Sequence, residues 1–122
     1  MRDKARVDRV VVEKIIHYCN DIENLIQRFG TTLEKFISDS AFQYACGMCI
    51  LQIGELTTRL SEEFKTQHSD IAWKEIKGLR NIHAHDYESL DFEEVWSILN
   101  EDIPSLKNKL QKILSQMQEQ NL

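Results

Sequence analysis

Apolar residues recur every three or four positions along most of the chain, the spacing that gathers them on one face of an α-helix. Val11, Ile15, Cys19, Ile22, Ile26 and Phe29 form one such stripe and predict a helix from about Asp8 to Phe29. Gly30 stands where a left-handed C-terminal cap is expected. Thr31 or Thr32 can then cap a short helix bearing Leu33, Phe36 and Ile37. A third helix opens at Asp39 or Ser40. It carries Phe42, Cys46, Cys49, Ile53, Leu56, Leu60 and, nearly in phase, Phe64. Steps of four and three alternate along this seam, so the helix should pack nearly antiparallel against long neighbours. Gly47 and Gly54 share one of its faces. Glycine costs helix propensity, so a close helix crossing is the expected reason for both.

A fourth helix is expected from Ser69 or Asp70, with Trp73, Ile76 and Leu79 on its apolar side, running into a polar segment. Asp86 to Asp91 reads as a loop. Asp91 and Glu94 form a capping-box-like pair ahead of a last helix that repeats Phe92, Val95, Leu99, Ile103, Leu106, Leu110, Ile113 and Met117. Pro104 falls inside that repeat and should kink or divide the helix. Gln118 to Leu122 should fray. One proline and four glycines leave little material for the turns of a β protein. The fold class expected is all-α: an up-down helical bundle of four long helices plus a short one, forming a single domain over residues 1–122.

Apolar residues make up 42% of the 122 positions and charged residues 29%, which excludes a disordered acidic chain. The formal net charge of −5 argues against holding nucleic acid by diffuse electrostatics. Any such contact should be focal, near Arg80, Lys74 and Lys77. No apolar run approaches the ~20 residues that span a bilayer, and the N-terminus is charged, so no membrane partner is expected. Three cysteines without disulfide-like spacing fit a reducing compartment and a cytoplasmic location.

Most polar candidates have ordinary explanations. Cys46 and Cys49 form a CxxC, but a second pair is missing and both fall on the packing seam, where burial raises thiol pKa. Gly47 and Gly54 lack the spacing and the preceding strand of a phosphate loop. Glu62–Glu63 and Glu93–Glu94 are adjacent pairs whose members point about 100° apart, so neither converges on a metal. Neither His17 nor His68 has a local partner that would suggest catalysis. No metal and no cofactor are expected.

The segment Arg80-Asn81-Ile82-His83-Ala84-His85-Asp86-Tyr87 is harder to assign to packing. It places a permanent cation, two imidazoles and a phenol within about two helical turns. Arginine grips phosphate, histidine moves protons near neutral pH, and a phenol can be modified. An ordinary reading exists: Ile82 packs inward, Arg80 pairs with a glutamate, and the histidines occupy a polar turn.

With its surroundings, however, the segment resembles the HEPN superfamily, and within it the HepT-like toxin ribonucleases. The family motif is an arginine usually followed by asparagine, a histidine a few residues on, then one residue and a tyrosine. Arg80, Asn81, His85 and Tyr87 match it. Ile53-Gly54-Glu55, Trp96 and Asp102-Ile103-Pro104 extend the resemblance over most of the chain, to about Leu114. The resemblance implies a metal-independent endoribonuclease acting on RNA as a homodimer whose two motifs line one cleft. Arg80 and His85 would be catalytic, and Asn81 would orient the substrate or the motif itself; His83 is a candidate substrate contact from its place on Arg80's helix face, not from the family motif. It also implies a minimal nucleotidyltransferase antitoxin that silences the toxin by transferring AMP to Tyr87. The alternative is a catalytically silent module of the same fold that binds nucleotide or partners a nucleotidyltransferase.

One geometric problem accompanies this reading. Residues five apart on a straight helix point about 140° apart, so Arg80 and His85 diverge, whereas Arg80 and His83 nearly share a face. Either the helix ends near Ala84, or Arg80 works with His85 of a second subunit.

Overall fold

The computed structural model describes residues 2–81 and 91–120. Among these the chain is helical without strands, as the hydrophobic spacing predicts. Helix α1 spans Arg2–Phe29, α2 Leu33–Ser38, α3 Ser40–Thr57, α4 Glu62–Gln67 and α5 Trp73–Gly78. Helix α6 (Phe92–Ser97) passes through a π turn at Ile98–Asp102 into α7 (Ile103–Gln120). Three long helical stretches therefore carry the bundle: α1, α3, and α6 continued into α7. None of the described helices is long and apolar enough to cross a membrane.

Helices α3 and α7 each run antiparallel to α1, as the contacts at its ends show. At one end of α1, Asp8 is buried and accepts hydrogen bonds from the Ser61 backbone N–H (2.8 Å) and hydroxyl (2.6 Å), just beyond α3. At the other end, Phe29 stacks on Phe42 in the first turn of α3, ring centroids 5.3 Å apart. On the opposite flank of α1, Lys107 in the first turns of α7 reaches Glu23 at 3.0 Å. The core between them is the one the periodicity selects: Ile15, Cys19, Ile22, Phe42, Cys46, Ile53, Leu99, Ile103 and Leu110 are all buried.

Short helix α2 is capped by Thr32, whose hydroxyl accepts from Lys35 N–H. Gly30, with φ of 145°, reverses the chain before it and donates its N–H to the Ile26 carbonyl at 2.9 Å. The buried Gln43 amide then donates to the Phe36 and Ile37 carbonyls at 2.8 and 2.9 Å, satisfying C-terminal acceptors of α2 that the helix leaves open. Phe36 is fully buried against Phe42, Phe92 and Trp96, which fastens α2 to α3 and α6.

Local differences from the sequence reading have identifiable causes. Helix α1 begins six residues before the expected start at Asp8, through residues that are mostly good helix formers and add no apolar periodicity. The third helix stops at Thr57 instead of running through Phe64. The Thr57 and Thr58 hydroxyls donate to the Gly54 and Glu55 carbonyls at 2.7 and 2.6 Å, and the backbone tightens into three-residue turns. Ser61 then caps α4. Helix α5 begins at Trp73, not at Ser69 or Asp70. Ile71 is buried within the preceding turn, and the Trp73 indole N–H closes that turn on the His68 carbonyl at 3.0 Å. Asp91 caps α6 through the N–H groups of Glu93 and Glu94.

Pro104 does divide the last helix, and it does so through the π turn. Ile103 N–H bonds to the Ile98 carbonyl, one residue further back than in an α-helix. Proline has no N–H to continue the ladder at the next position, so the widened turn falls where a donor is already missing.

Candidate functional site

Arg80 follows the turn at Leu79, whose N–H closes α5 on the Ile76 and Lys77 carbonyls. Its position is set by α3. A Cβ added to Gly54 would lie 2.7 Å from the Arg80 nitrogen, 3.1 Å from its Cβ and 3.3 Å from its Cα. The glycine thus lets two backbones meet, and this is the crossing expected at that position. One residue on, Glu55 Oε1 lies 3.6 Å from Arg80 Nη1. Both side chains remain partly exposed, 39% for Arg80 and 47% for Glu55, so the guanidinium is oriented yet open to a ligand. An anion with better geometry can displace a half-solvated carboxylate, because such a pair is worth little net free energy.

Asn81 is exposed beside Arg80. His83, His85 and Tyr87 lie outside the described residues, as do Ile82 and the angle between Arg80 and His85. Lys74 and Lys77 are exposed on α5, consistent with a local basic surface. Glu55 is a landmark of the resemblance, and the structure places its carboxylate beside Arg80. The one clue in the sequence was its place next to a glycine that needed a packing reason.

The other candidates behave as packing predicts. Cys19, Cys46 and Cys49 are free and buried. Burial pushes the first two thiols up to about 12 and Cys49 to about 11, so they stay protonated and unreactive at neutral pH. Glu62, Glu63, Glu93 and Glu94 are exposed. His17 is exposed and 3.3 Å from Asp21, and His68 lies against the Phe64 ring. Trp96 belongs to the aromatic cluster around Phe36. Among the described residues no group of three or more His, Cys, Asp or Glu could hold a metal ion.

The protein is an all-helical bundle in which Arg80 packs on Gly54 of α3 and lies within ion-pairing distance of the next residue, Glu55. Residues 15–113 match the family model described as Ribonuclease HepT-like, and the chain belongs to that family. Among curated relatives, a protein of Caldanaerobacter subterraneus subsp. tengcongensis named "Putative RNase" is 32% identical over 89% of this chain and 96% of its own length. One from Thermococcus cleftensis, named "Probable ribonuclease HepT", is 34% identical over 79% of this chain and 92% of its own. A third, from Methanocaldococcus jannaschii and also named "Putative RNase", is 30% identical over 86% and 89%. No solved structure matches the chain.

Proposed function

We propose that this chain is an endoribonuclease that cleaves RNA without a metal ion and serves as the toxin of a toxin–antitoxin pair. The observation that carries the reading is the setting of Arg80. The first residue of the motif is fixed by the Gly54 backbone, aimed by Glu55 and left open to solvent. The names of the relatives point the same way.

In this mechanism His85 accepts the proton of a ribose 2′-hydroxyl, and the 2′-oxygen attacks the adjacent phosphorus. The O2′–P bond forms as the P–O5′ bond breaks. Histidine in its protonated form supplies the proton to the leaving 5′-oxygen, and the products are a 2′,3′-cyclic phosphate and a 5′-hydroxyl end. Arg80 stabilises the charge that builds on the phosphoryl oxygens, and Glu55 keeps the guanidinium in place between turnovers. Asn81 and His83 contact the substrate. Because the nucleophile is a 2′-hydroxyl, DNA is not a substrate. Residues 1–122 act as one domain in a cytoplasmic homodimer, whose partner subunit can bring its own motif into the same cleft. A nucleotidyltransferase antitoxin silences the protein by transferring AMP to Tyr87, and the added bulk and charge exclude an RNA phosphate.

Purified protein should cleave single-stranded RNA in the presence of EDTA, and Arg80→Ala and His85→Ala should each abolish cleavage. An RNA with a 2′-deoxyribose at the scissile position should resist. Cleavage that survives His85→Ala would refute the assignment. The Glu55–Arg80 pair would equally suit a silent module, and absence of cleavage with retained RNA binding by the wild type would select that reading.

A further inference from the structure

Beside the Glu55–Arg80 pair, α1 and α3 enclose a groove of about 500 Å³. We propose that this groove is a substrate subsite holding a nucleotide of single-stranded RNA next to the scissile phosphate, with Lys14 and Arg59 on its phosphates and Tyr18 as a stacking surface. The inference rests on the ribonuclease reading above and adds residues far from the motif in sequence.

Three observations carry it. The first is continuity: Glu55 both lines the groove and contacts Arg80 at 3.6 Å, so a strand gripped at Arg80 meets the groove directly. The second is charge. The groove's two carboxylates already have cations, Glu13 with Arg9 at 3.5 Å and Glu55 with Arg80. Lys14 and Arg59 line the same groove, exposed and without an ion-pair partner among the described residues. The local remainder is thus cationic in a chain whose net charge is −5. Lys14 and Tyr18 sit one turn apart on α1, as do Glu55 and Arg59 on the α3 side, so each wall presents its groups on one face. The third is the lining. Half-buried Tyr18 is braced edge-on by the His17 ring at 5.6 Å, and Gln52 adds an amide on the facing wall. Cations that track phosphates beside a fixed aromatic ring are what single-stranded nucleic acid binds, and the volume falls within the usual range for small-ligand sites.

The test uses full-length protein and a fluorescent 2′-O-methyl RNA oligonucleotide, which binds but cannot be cleaved, followed by anisotropy across a salt series. Lys14→Ala/Arg59→Ala should weaken binding about tenfold and lower the slope of log K against log salt by roughly 1.4, the loss expected for two phosphate contacts on a single strand. Tyr18→Leu should weaken it about tenfold with the slope unchanged, whereas Tyr18→Phe should bind as the wild type does. Lys35→Ala/Lys112→Ala removes two exposed lysines outside the groove and should leave both quantities nearly unchanged. An equal effect from the two double variants overturns the subsite in favour of diffuse charge. No effect from the groove variants, or no binding by the wild type, overturns it as well. On cleavable RNA the groove variants should raise KM with little change in kcat. A wild type that binds but never cleaves sinks the ribonuclease reading and leaves the subsite standing. One that cleaves with an unchanged KM in the groove variants sinks the subsite alone.

Discussion

Replacing Gly54 by alanine sets two opposing effects against each other. In an exposed helix interior the change would stabilise by about 1 kcal/mol, because alanine loses less backbone freedom on folding. Here the new methyl would stand 2.7 Å from the Arg80 backbone nitrogen, where ordinary contact begins near 3.4 Å. The chain at Arg80 must therefore retreat by about 0.7 Å, at an overpacking cost of roughly 1–3 kcal/mol. The net expectation is a loss of about 0–2 kcal/mol, read as a lower urea midpoint at constant slope. The same retreat stretches the 3.6 Å Glu55–Arg80 contact toward or beyond the ion-pairing limit. RNA cleavage should then fall about tenfold to a hundredfold, as misplacement of a reacting group by this distance can cause. Gly78→Ala is the matched control: nothing lies within 4 Å of the added atom, and stability should rise by a few tenths to 1 kcal/mol. If Gly54→Ala instead gains about 1 kcal/mol and cleaves at the wild-type rate, the crossing does not position Arg80.

Other expectations follow from buried groups. Asp8→Ala leaves the Ser61 N–H and hydroxyl without their carboxylate and should cost about 2–3 kcal/mol in urea denaturation; a change under about 0.5 kcal/mol would mean the link is not part of the fold's stability. The three buried thiols make the fold alkali-sensitive. In the unfolded chain they lose protons above their ordinary value of 9.0, whereas the folded chain holds them to about 11 or 12. The unfolded state thus binds fewer protons above pH 9, and stability present in full below that pH declines as pH rises. Each thiol contributes a decline of about 1.4 kcal/mol by pH 10, roughly 4 kcal/mol for the three. Cys46→Ala should remove about a third of the difference between urea midpoints at pH 8 and pH 10, and an unchanged pH dependence would contradict the burial argument.

Periodicity made the core legible from the sequence, because each seam residue of the third helix, from Phe42 to Phe64, is buried as its spacing requires. It could not reveal that the helix stops and restarts between them. The break keeps phase, so Leu60 and Phe64 still face inward, and a pattern of apolar positions carries no record of an interruption that preserves phase. The signal lay in the hydroxyls of Thr57, Thr58 and Ser61, which compete for backbone groups and supply the next cap. The site divides along similar lines. Arg80 was legible as chemistry, whereas its partner Glu55 was not, since a contact 25 residues away in sequence leaves no local pattern. Gly54 carried half of that information, as a costly residue in need of a reason.

The π turn before Pro104 has a consequence for how this chain can vary. One added residue rotates everything on one side of it by about 100° relative to the other. That rotation lets the Trp96 indole face Phe36 while Leu106 and Leu110 face the core on α7. Asn100, Glu101 and Asp102 are themselves exposed, so many side chains can occupy those places. Their number is what matters. Losing one of them would barely shorten the helix yet would swing the aromatic cluster away from α2. Through these residues the chain tolerates rewording but not deletion.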